Sequence, residues 1–572
     1  MSRKNKFKLV TLAMLLALLP SMNFEAVYSI FRDGYVAQAP LSQVLSPQTA
    51  NATTLKPPPL LKSLTPMNHA FNGQTATQPS RPALPQNPVV DALAPSAFGW
   101  QSSINGITLP TSQVTAIQNG TILGSYPATD AGVQQALYAM YSATNADTSD
   151  FVLYFGATTM SLSNSAAKAP VATPSATSMT FSTLVGHAKS LTWISNSADN
   201  LASSNTAQAS GTNYTITLPT NTYFGVPTVF RNVTVSAASK TIYAQGNAFA
   251  TTNGSWITGA VSIYGGTDST AITGDTNVYI GATGNTAGWS IYGGNATGGM
   301  ISGDTHVTIT QASSTLATVS GGSAAGATIS GNTNLDINGA IAAQVTNIYG
   351  GGVGTSASPV TVNGTVPTYV NSTSTSAHYQ LYLGGACYGN ITGSIYNTLT
   401  GLGGWTGNSS NINGTQTTFS NYLGGSFRGN IGTSGGGNVI SNSYDTSAFT
   451  TGQALFVGAN GGTKSNYNSA TSTTASVQGL IYANITNYIK SAFTTGTAGA
   501  VYGVVGGNGH DSLKISAAQW GLDSKTTGLD ASVGVSDAKP MPKYQRVLSL
   551  LMPKRLPVML SMAISTPGNN RV

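Results

Sequence analysis

The chain has 572 residues and a formal net charge of +7, but only 7% of its residues are charged, against about 25% in an ordinary globular protein. Between Trp100 and His510 nine aspartates outnumber seven lysines and arginines, so the positive excess sits at the two ends. No basic stripe interleaved with aromatics runs through the body, which argues against nucleic acid as a partner, and a single cysteine, Cys387, excludes an intramolecular disulfide framework.

At the N-terminus, Arg3, Lys4, Lys6 and Lys8 precede an apolar run from Leu9 to Leu19 that ends at Pro20. A basic stretch followed by an apolar one of this length predicts a secretory signal within region 1–39. It is short for a membrane span. Ser29 and Ala37-Gln38-Ala39 are the candidate cleavage positions. Eleven prolines from Pro40 to Pro95 then predict an extended, disordered linker over 40–97. The expected location is secreted or at the cell surface, in a protein of Gram-positive type.

Region 98–245 reads as a cap and the first turns of a repeat. Asp130 is the expected N-cap of a helix from Ala131 to Tyr141, with Val133, Leu137, Met140 and Tyr141 on one apolar stripe. Such a helix would cover the open end of a stack of strands, where unpaired backbone groups invite aggregation. Strand patterns follow at Phe151 to Phe155, Ser190 to Ile194 and Phe230 to Val235.

Region 246–510 repeats. Ser262-Ile263-Tyr264-Gly265-Gly266 returns as Ser290-Ile291-Tyr292-Gly293-Gly294, then as Val319-Ser320-Gly321-Gly322 and Asn347-Ile348-Tyr349-Gly350-Gly351, at spacings of 28, 28 and 29 residues. A second element follows each copy: Gly274-Asp275-Thr276, Gly303-Asp304-Thr305 and Gly331-Asn332-Thr333 open three short alternating segments. Longer copies carry Tyr382-Leu383-Gly384-Gly385 and Tyr422-Leu423-Gly424-Gly425, and Gly461-Gly462 and Gly506-Gly507 read as worn members. Alternation with period two means strands with one buried face. A unit of this size cannot close a core alone, so copies must stack about 4.8 Å apart. Stacking predicts a ladder of Ile263, Ile291, Val319 and Ile348 inside and of Tyr264, Tyr292 and Tyr349 outside.

The helix pattern, the strand after Asp150, the Phe230-to-Val235 segment and the Ile-Tyr-Gly-Gly units together resemble the pectate-lyase-like adhesive domains of lactobacilli and related bacteria, over roughly residues 98–510. The resemblance implies adhesion, with the lyase name describing shape. Leu556-Pro557-Val558-Met559-Leu560 lacks the Thr-Gly of a sortase signal, which many members of that family carry, and no apolar span follows it. The predicted fold is all-β: a right-handed parallel β-helix (solenoid) with a short N-terminal capping helix, a disordered N-terminal linker and a C-terminal tail. That tail, 511–572, gathers Lys539, Lys543, Arg546, Lys554, Arg555 and Arg571. It reads as disordered, with peripheral association to an anionic cell wall as the alternative.

Candidate chemistry is sparse. Asp275 and Asp304 occupy equivalent turns on adjacent rungs, where they are either Gly-Asx turn residues or a shared Ca²⁺ site. Tyr264, Tyr292 and Tyr349 form either a structural ladder or a sugar-stacking surface. His306 reads as a solvated member of the row Asn277, His306, Asn334, Arg428 as an exposed replacement for Tyr388, and Cys387 as a small buried residue. With Glu25 the only glutamate, general acid–base catalysis is poorly supplied. The leading expectation is a non-catalytic adhesin that binds extracellular glycans, mucus or cell-surface proteins through many weak contacts. A β-helix polysaccharide lyase or glycoside hydrolase is the alternative, and a structural cell-wall or biofilm component the second.

Overall fold

The computed structural model describes residues 107–445, with breaks chiefly at 166–169, 196–213, 406–410 and 417–421, and short strands between 453 and 515. All of these belong to one compact unit of the chain, Arg81–Val572. The expected signal, the Pro-rich linker and the tail beyond Ile515 lie outside the described residues.

Most strands are gathered in two long sheets of 13 and 11 members, parallel but for the start of the longer one, and in shorter parallel ones of 7 and 5. The chain visits these sheets in rotation. Val261–Tyr264 lies in the second sheet, Thr276–Ile280 in the longest, Gly284–Asn285 in the five-stranded one, and Trp289–Tyr292 returns to the second sheet beside Val261–Tyr264. Each circuit adds one rung, which is the strand order of an all-β solenoid. The rungs are in register as the repeat predicts. Ile263, Ile291, Val319 and Ile348 pair in succession and are fully buried, while Tyr264, Tyr292, Ser320 and Tyr349 pair in the neighbouring row. Further along, Leu383, Leu423, Phe456 and Val505 continue that row. The Gly461-Gly462 and Gly506-Gly507 copies themselves lie outside the described residues.

The paired glycines have a steric cause. A Cβ on Gly265, Gly293, Gly321 or Gly350 would overlap the carbonyl oxygen of the equivalent glycine one rung on. The chain turns out of the second sheet here with its backbone against the next coil, and only glycine leaves room.

The two shorter sheets succeed each other along the stack. The five-stranded sheet ends at Gly284–Asn285, and the seven-stranded one begins at Met300–Ile301, on the other side of the longest sheet in chain order. Over the same rungs the long-sheet strands grow from Thr276–Ile280 to Thr305–Ala312 and Thr333–Ile341, with a register shift after Ile309. A shift of this kind bends a strand, so one longer, bent strand takes over the corner that the five-stranded sheet had occupied.

The first rung is closed by more than a helix. Strands β1 (Gln113–Gln118) and β2 (Thr121–Pro127) form an antiparallel hairpin, and β1 also pairs antiparallel with β3 (Asp150–Phe155), from which the parallel series starts. Helix α1 (Asp130–Tyr141) sets Val133, Ala136, Leu137 and Met140 into the core that Phe151, Leu153, Phe155 and Trp193 begin. Phe181, Phe224, Phe230 and Phe249 continue this aromatic end of the core through ring contacts with Trp193 and one another. The N-cap of α1 is Thr129, not Asp130: the Thr129 hydroxyl accepts the Gly132 N–H at 3.2 Å. Asp130 instead gathers the 163–165 segment, accepting backbone N–H groups of Ser163, Asn164 and Ser165 and the Ser163 and Ser165 hydroxyls. Burial opposes its ionisation, but these bonds outweigh burial and hold its pKa below the ordinary aspartate value. The segment expected as one strand from Phe230 to Val235 is two, Thr228–Arg231 and Thr234–Ser236, because Asn232 turns a corner with φ 43°, a conformation Asn tolerates better than most residues.

The inner column of the long sheet changes character along the stack. Val278, Val307 and Leu335 are followed in register by Thr368, Asn397 and Asn442, all buried. The amides satisfy each other: Asn397 Nδ2 donates to Gly424 O at 2.7 Å and to Asn442 Oδ1 at 2.8 Å. Tyr382, which takes the inner place of Ile348, donates its hydroxyl to Asn397 Oδ1 at 2.6 Å. A buried polar network is tolerated when its members find partners.

Candidate functional site

The outer row of the second sheet is an aromatic stack longer than the repeat alone indicates. Tyr223, Tyr243, Tyr264 and Tyr292 lie on consecutive rungs with ring centroids 4.6, 5.3 and 4.8 Å apart and interplanar angles of 10°, 15° and 7°. Rung spacing and near-parallel planes put each ring on the face of the next. Both faces of Tyr264 are therefore covered by Tyr243 and Tyr292. Ser320 interrupts the stack and is itself buried, and Tyr349 beyond it is only 3% exposed. The three tyrosines of the predicted sugar-stacking surface thus differ. Tyr264 and Tyr292 are half-buried and present ring edges and hydroxyls, and Tyr349 is enclosed.

The phenols are held by the row beside them. Ser262 bonds Tyr264, and Ser290 and Thr318 bond Tyr292. Burial raises the pKa of Tyr264, with the neighbouring Tyr292 and Tyr243 adding to it and Ser262 opposing it. Burial likewise raises Tyr292 and Tyr349. Neutral phenols flanked by Ser and Thr hydroxyls offer hydrogen bonds and narrow apolar edges, the chemistry of noncovalent contact with polyols.

The Asx turns form a second ladder. Thr276, Thr305 and Thr333 pair in register, which aligns Asp275, Asp304 and Asn332. Asp275 Oδ1 accepts the Asp304 N–H at 2.8 Å, Asp304 Oδ1 accepts the Asn332 N–H at 2.7 Å, and Asn332 Oδ1 accepts the Thr365 N–H at 2.8 Å. Asn332 Nδ2 also donates to Asp304 Oδ2 at 3.1 Å. The preceding glycines belong to the same device, since a Cβ at Gly303 or Gly331 would strike Asp275 Oδ1 or Asp304 Oδ1. One oxygen of each carboxylate is thereby committed to the backbone of the next rung. Among the described residues no three His, Cys, Asp or Glu side chains are grouped so as to share a metal ion.

No family model, curated protein or solved structure matches the chain.

Three residues read as incidental in the sequence are more enclosed in the fold. His306 is half-buried with Nδ1 buried and unbonded, and burial lowers its pKa against the opposing pull of Asp304 and Asp275; it is not simply solvated. Arg428 bridges to Tyr388 one coil back and is half-buried. Its guanidinium lies 5.7 Å from the Tyr388 ring centre and 5.5 Å from that of Phe427, within cation–π range. Cys387 is fully buried as expected, with its thiol pKa pushed up by burial against the effect of Arg428. Sequence reasoning passed over Asp336, which is 1% exposed on a strand. The available signal was a carboxylate at an outward position of an alternating segment whose equivalents are Thr308 and Tyr369.

Proposed function

We propose that the protein is a non-catalytic adhesin, secreted or held at the cell surface, whose solenoid is a right-handed parallel β-helix like that of the pectate-lyase-like adhesive domains. Its partners are extracellular glycans, mucus or cell-surface proteins. The observation that carries this reading is the in-register repetition of polar edges: tyrosine hydroxyls with Ser and Thr on one sheet, and Asx turns beside another. A ligand that itself repeats, such as a polysaccharide, meets like contacts on the neighbouring rungs of Tyr264 and Tyr292 and along the Asx turns, and avidity multiplies the contacts. The full chain applied to a glycan array and to immobilised mucin tests this. Saturable binding that weakens when Tyr264 and Tyr292 are both replaced by Ser is expected, and failure of the purified protein and of producing cells to bind either surface would reject the reading.

A β-helix polysaccharide lyase or hydrolase is the second reading, favoured only by the adjacent Asp275 and Asp304 carboxylates, each with an oxygen not bonded to a backbone amide. Incubation with polygalacturonate and Ca²⁺ distinguishes the two. Unsaturated products that disappear in Asp304→Ala would establish the enzyme and displace the adhesin. Self-association without any receptor would favour a structural wall or biofilm component.

A further inference from the structure

The outer face of the longest sheet carries a patch unlike its surroundings. Val307, Ile309, Leu335 and Ile337 enter the core, so alternation turns His306, Thr308, Asn334 and Asp336 outward. Thr308 pairs directly with Asp336 across the rungs, and His306 pairs with Asn334. Although they face away from the core, Thr308 is 0% and Asp336 1% exposed. Thr308 Oγ1, both Asp336 carboxylate oxygens and His306 Nδ1 are buried without a hydrogen bond. Asn334 turns aside, donating Nδ2 to Thr305 O at 3.3 Å. Tyrosines flank the patch: Tyr279 sits beside Thr308 on the preceding rung with its hydroxyl 3.2 Å from Thr310 Oγ1, and Tyr369 sits beside Asp336 on the following rung.

A polar group buried without a partner costs about 1–3 kcal/mol, and a charged one more. Four orphan atoms on three neighbouring side chains therefore ask for a common partner. The coil shows nearby what a structural Asx does, since Asp275, Asp304 and Asn332 each give an oxygen to the next rung's backbone. Asp336 makes no such bond. The missing partner is also not a described Lys or Arg, because Lys189, Arg231, Lys240, Arg428 and Lys514 all lie on other rungs.

We propose that Asp336, His306 and Thr308 form a binding site for a divalent transition-metal ion of the Zn²⁺ class. The carboxylate anchors the ion and the imidazole supplies a nitrogen donor, the ligand that selects such metals over Ca²⁺ or Mg²⁺. The Thr308 hydroxyl or water fills a further position. Parallel strands stand about 4.8 Å apart and two residues along a strand span about 6.6 Å, so His306 and Asp336, diagonal across the rungs, start about 8 Å apart, a span that His and Asp side chains bridge with donors about 2.0–2.2 Å from the metal. The ligands are other residues than the Asp275/Asp304 turns, although those carboxylates act electrostatically on His306, and the site is independent of the adhesive reading.

The test uses the full chain, stripped with EDTA, dialysed, and titrated calorimetrically with ZnCl₂ at pH 7.5. One equivalent is expected to bind, with at least a tenfold loss of affinity in Asp336→Asn and in His306→Gln, and a much smaller change in Asp304→Asn, whose charge acts on His306 without ligating. Loading with Co²⁺ gives a second readout: visible d–d bands in the wild type that His306→Gln removes. Should Asp336→Asn fail to fold by circular dichroism, His306→Gln carries the comparison. Zn²⁺ uptake equal in wild type and His306→Gln, or uptake lost in Asp304→Asn but kept in Asp336→Asn, would overturn the proposal.

Discussion

Asp304 Oδ1 accepts the backbone N–H of Asn332, one coil further on, at 2.7 Å. The next rung repeats the arrangement with an amide, since Asn332 Oδ1 accepts the Thr365 N–H. The acceptor oxygen, not the charge, is what the turn uses. Asp304→Asn, which keeps the acceptor for the Asn332 N–H but loses the Oδ2 that accepts Asn332 Nδ2, is therefore expected to cost about 0.5–1.5 kcal/mol, whereas Asp304→Ala, which loses both and orphans the Asn332 N–H, costs about 1–3 kcal/mol or more. Urea unfolding of the two variants measures the difference. A Ca²⁺-dependent stability present in the wild type and absent in Asp304→Asn would instead favour the shared-cation reading of this turn.

Gly293 and Gly298 lie on one coil but in opposite surroundings. A Cβ at Gly293 would enter the Gly321 carbonyl, and one at Gly298 meets nothing within 4 Å. Gly293→Ala should lose about 1–3 kcal/mol through overpacking and disturbed rung pairing, and Gly298→Ala should stay within about 0.5 kcal/mol of wild type. Parallel chemical denaturation of both proteins provides the comparison. Equal effects would contradict the close approach of coils at the Gly-Gly step.

Tyr292 stands between Tyr264, on which it stacks at 4.8 Å, and Ser320. Serine is already accepted in this row, so Tyr292→Ser keeps the fold. It removes one ring–ring contact, worth about 0.5–1.5 kcal/mol beyond area burial, and the loss of buried area adds to that. Thermal unfolding should show a lower midpoint with native far-ultraviolet circular dichroism retained. Under the proposed function the same variant binds mucin more weakly.

Asp336 has a pKa raised by burial from the ordinary 3.8 to about 7. Between those values the unfolded chain has released this proton while the folded chain keeps it, so folding takes up a proton and stability falls as pH rises. Below about pH 4 the residue contributes no pH dependence, and above about pH 7 the full penalty is present. In EDTA the wild type should thus lose stability from pH 4 to 7 by an amount of order a few kcal/mol. Asp336→Asn should remove that slope. Urea midpoints across the pH range, with wild type and variant losing stability in parallel, would show that the slope arises elsewhere.

The coil was legible in the sequence because side-chain direction alternates with every residue and the repeat returns at nearly constant spacing. Together these determine that Ile263, Ile291, Val319 and Ile348 share the inner column. The same logic aligned Asp275, Asp304 and Asn332, because three short segments opening on Gly-Asx-Thr have only one way to superpose. It also indicated a helix at the head of the stack. It assigned the cap to Asp130 because Thr and Asp both cap helices, and only the hydrogen bonds to Gly132 and to Ser163–Ser165 separate them.

Tertiary structure alone decided what lies outside that local periodicity. The hairpin that begins the longest sheet pairs β1 with β3 across the whole of α1, a long-range choice without a repeat to announce it. The change from an aliphatic to an amide column depends on Tyr382, Asn397 and Asn442 meeting from different coils. The enclosure of Asp336 arises in the same way. Period two turns it outward, but burial of an outward residue is a property of what neighbouring rungs place around it, and a single strand carries no record of that.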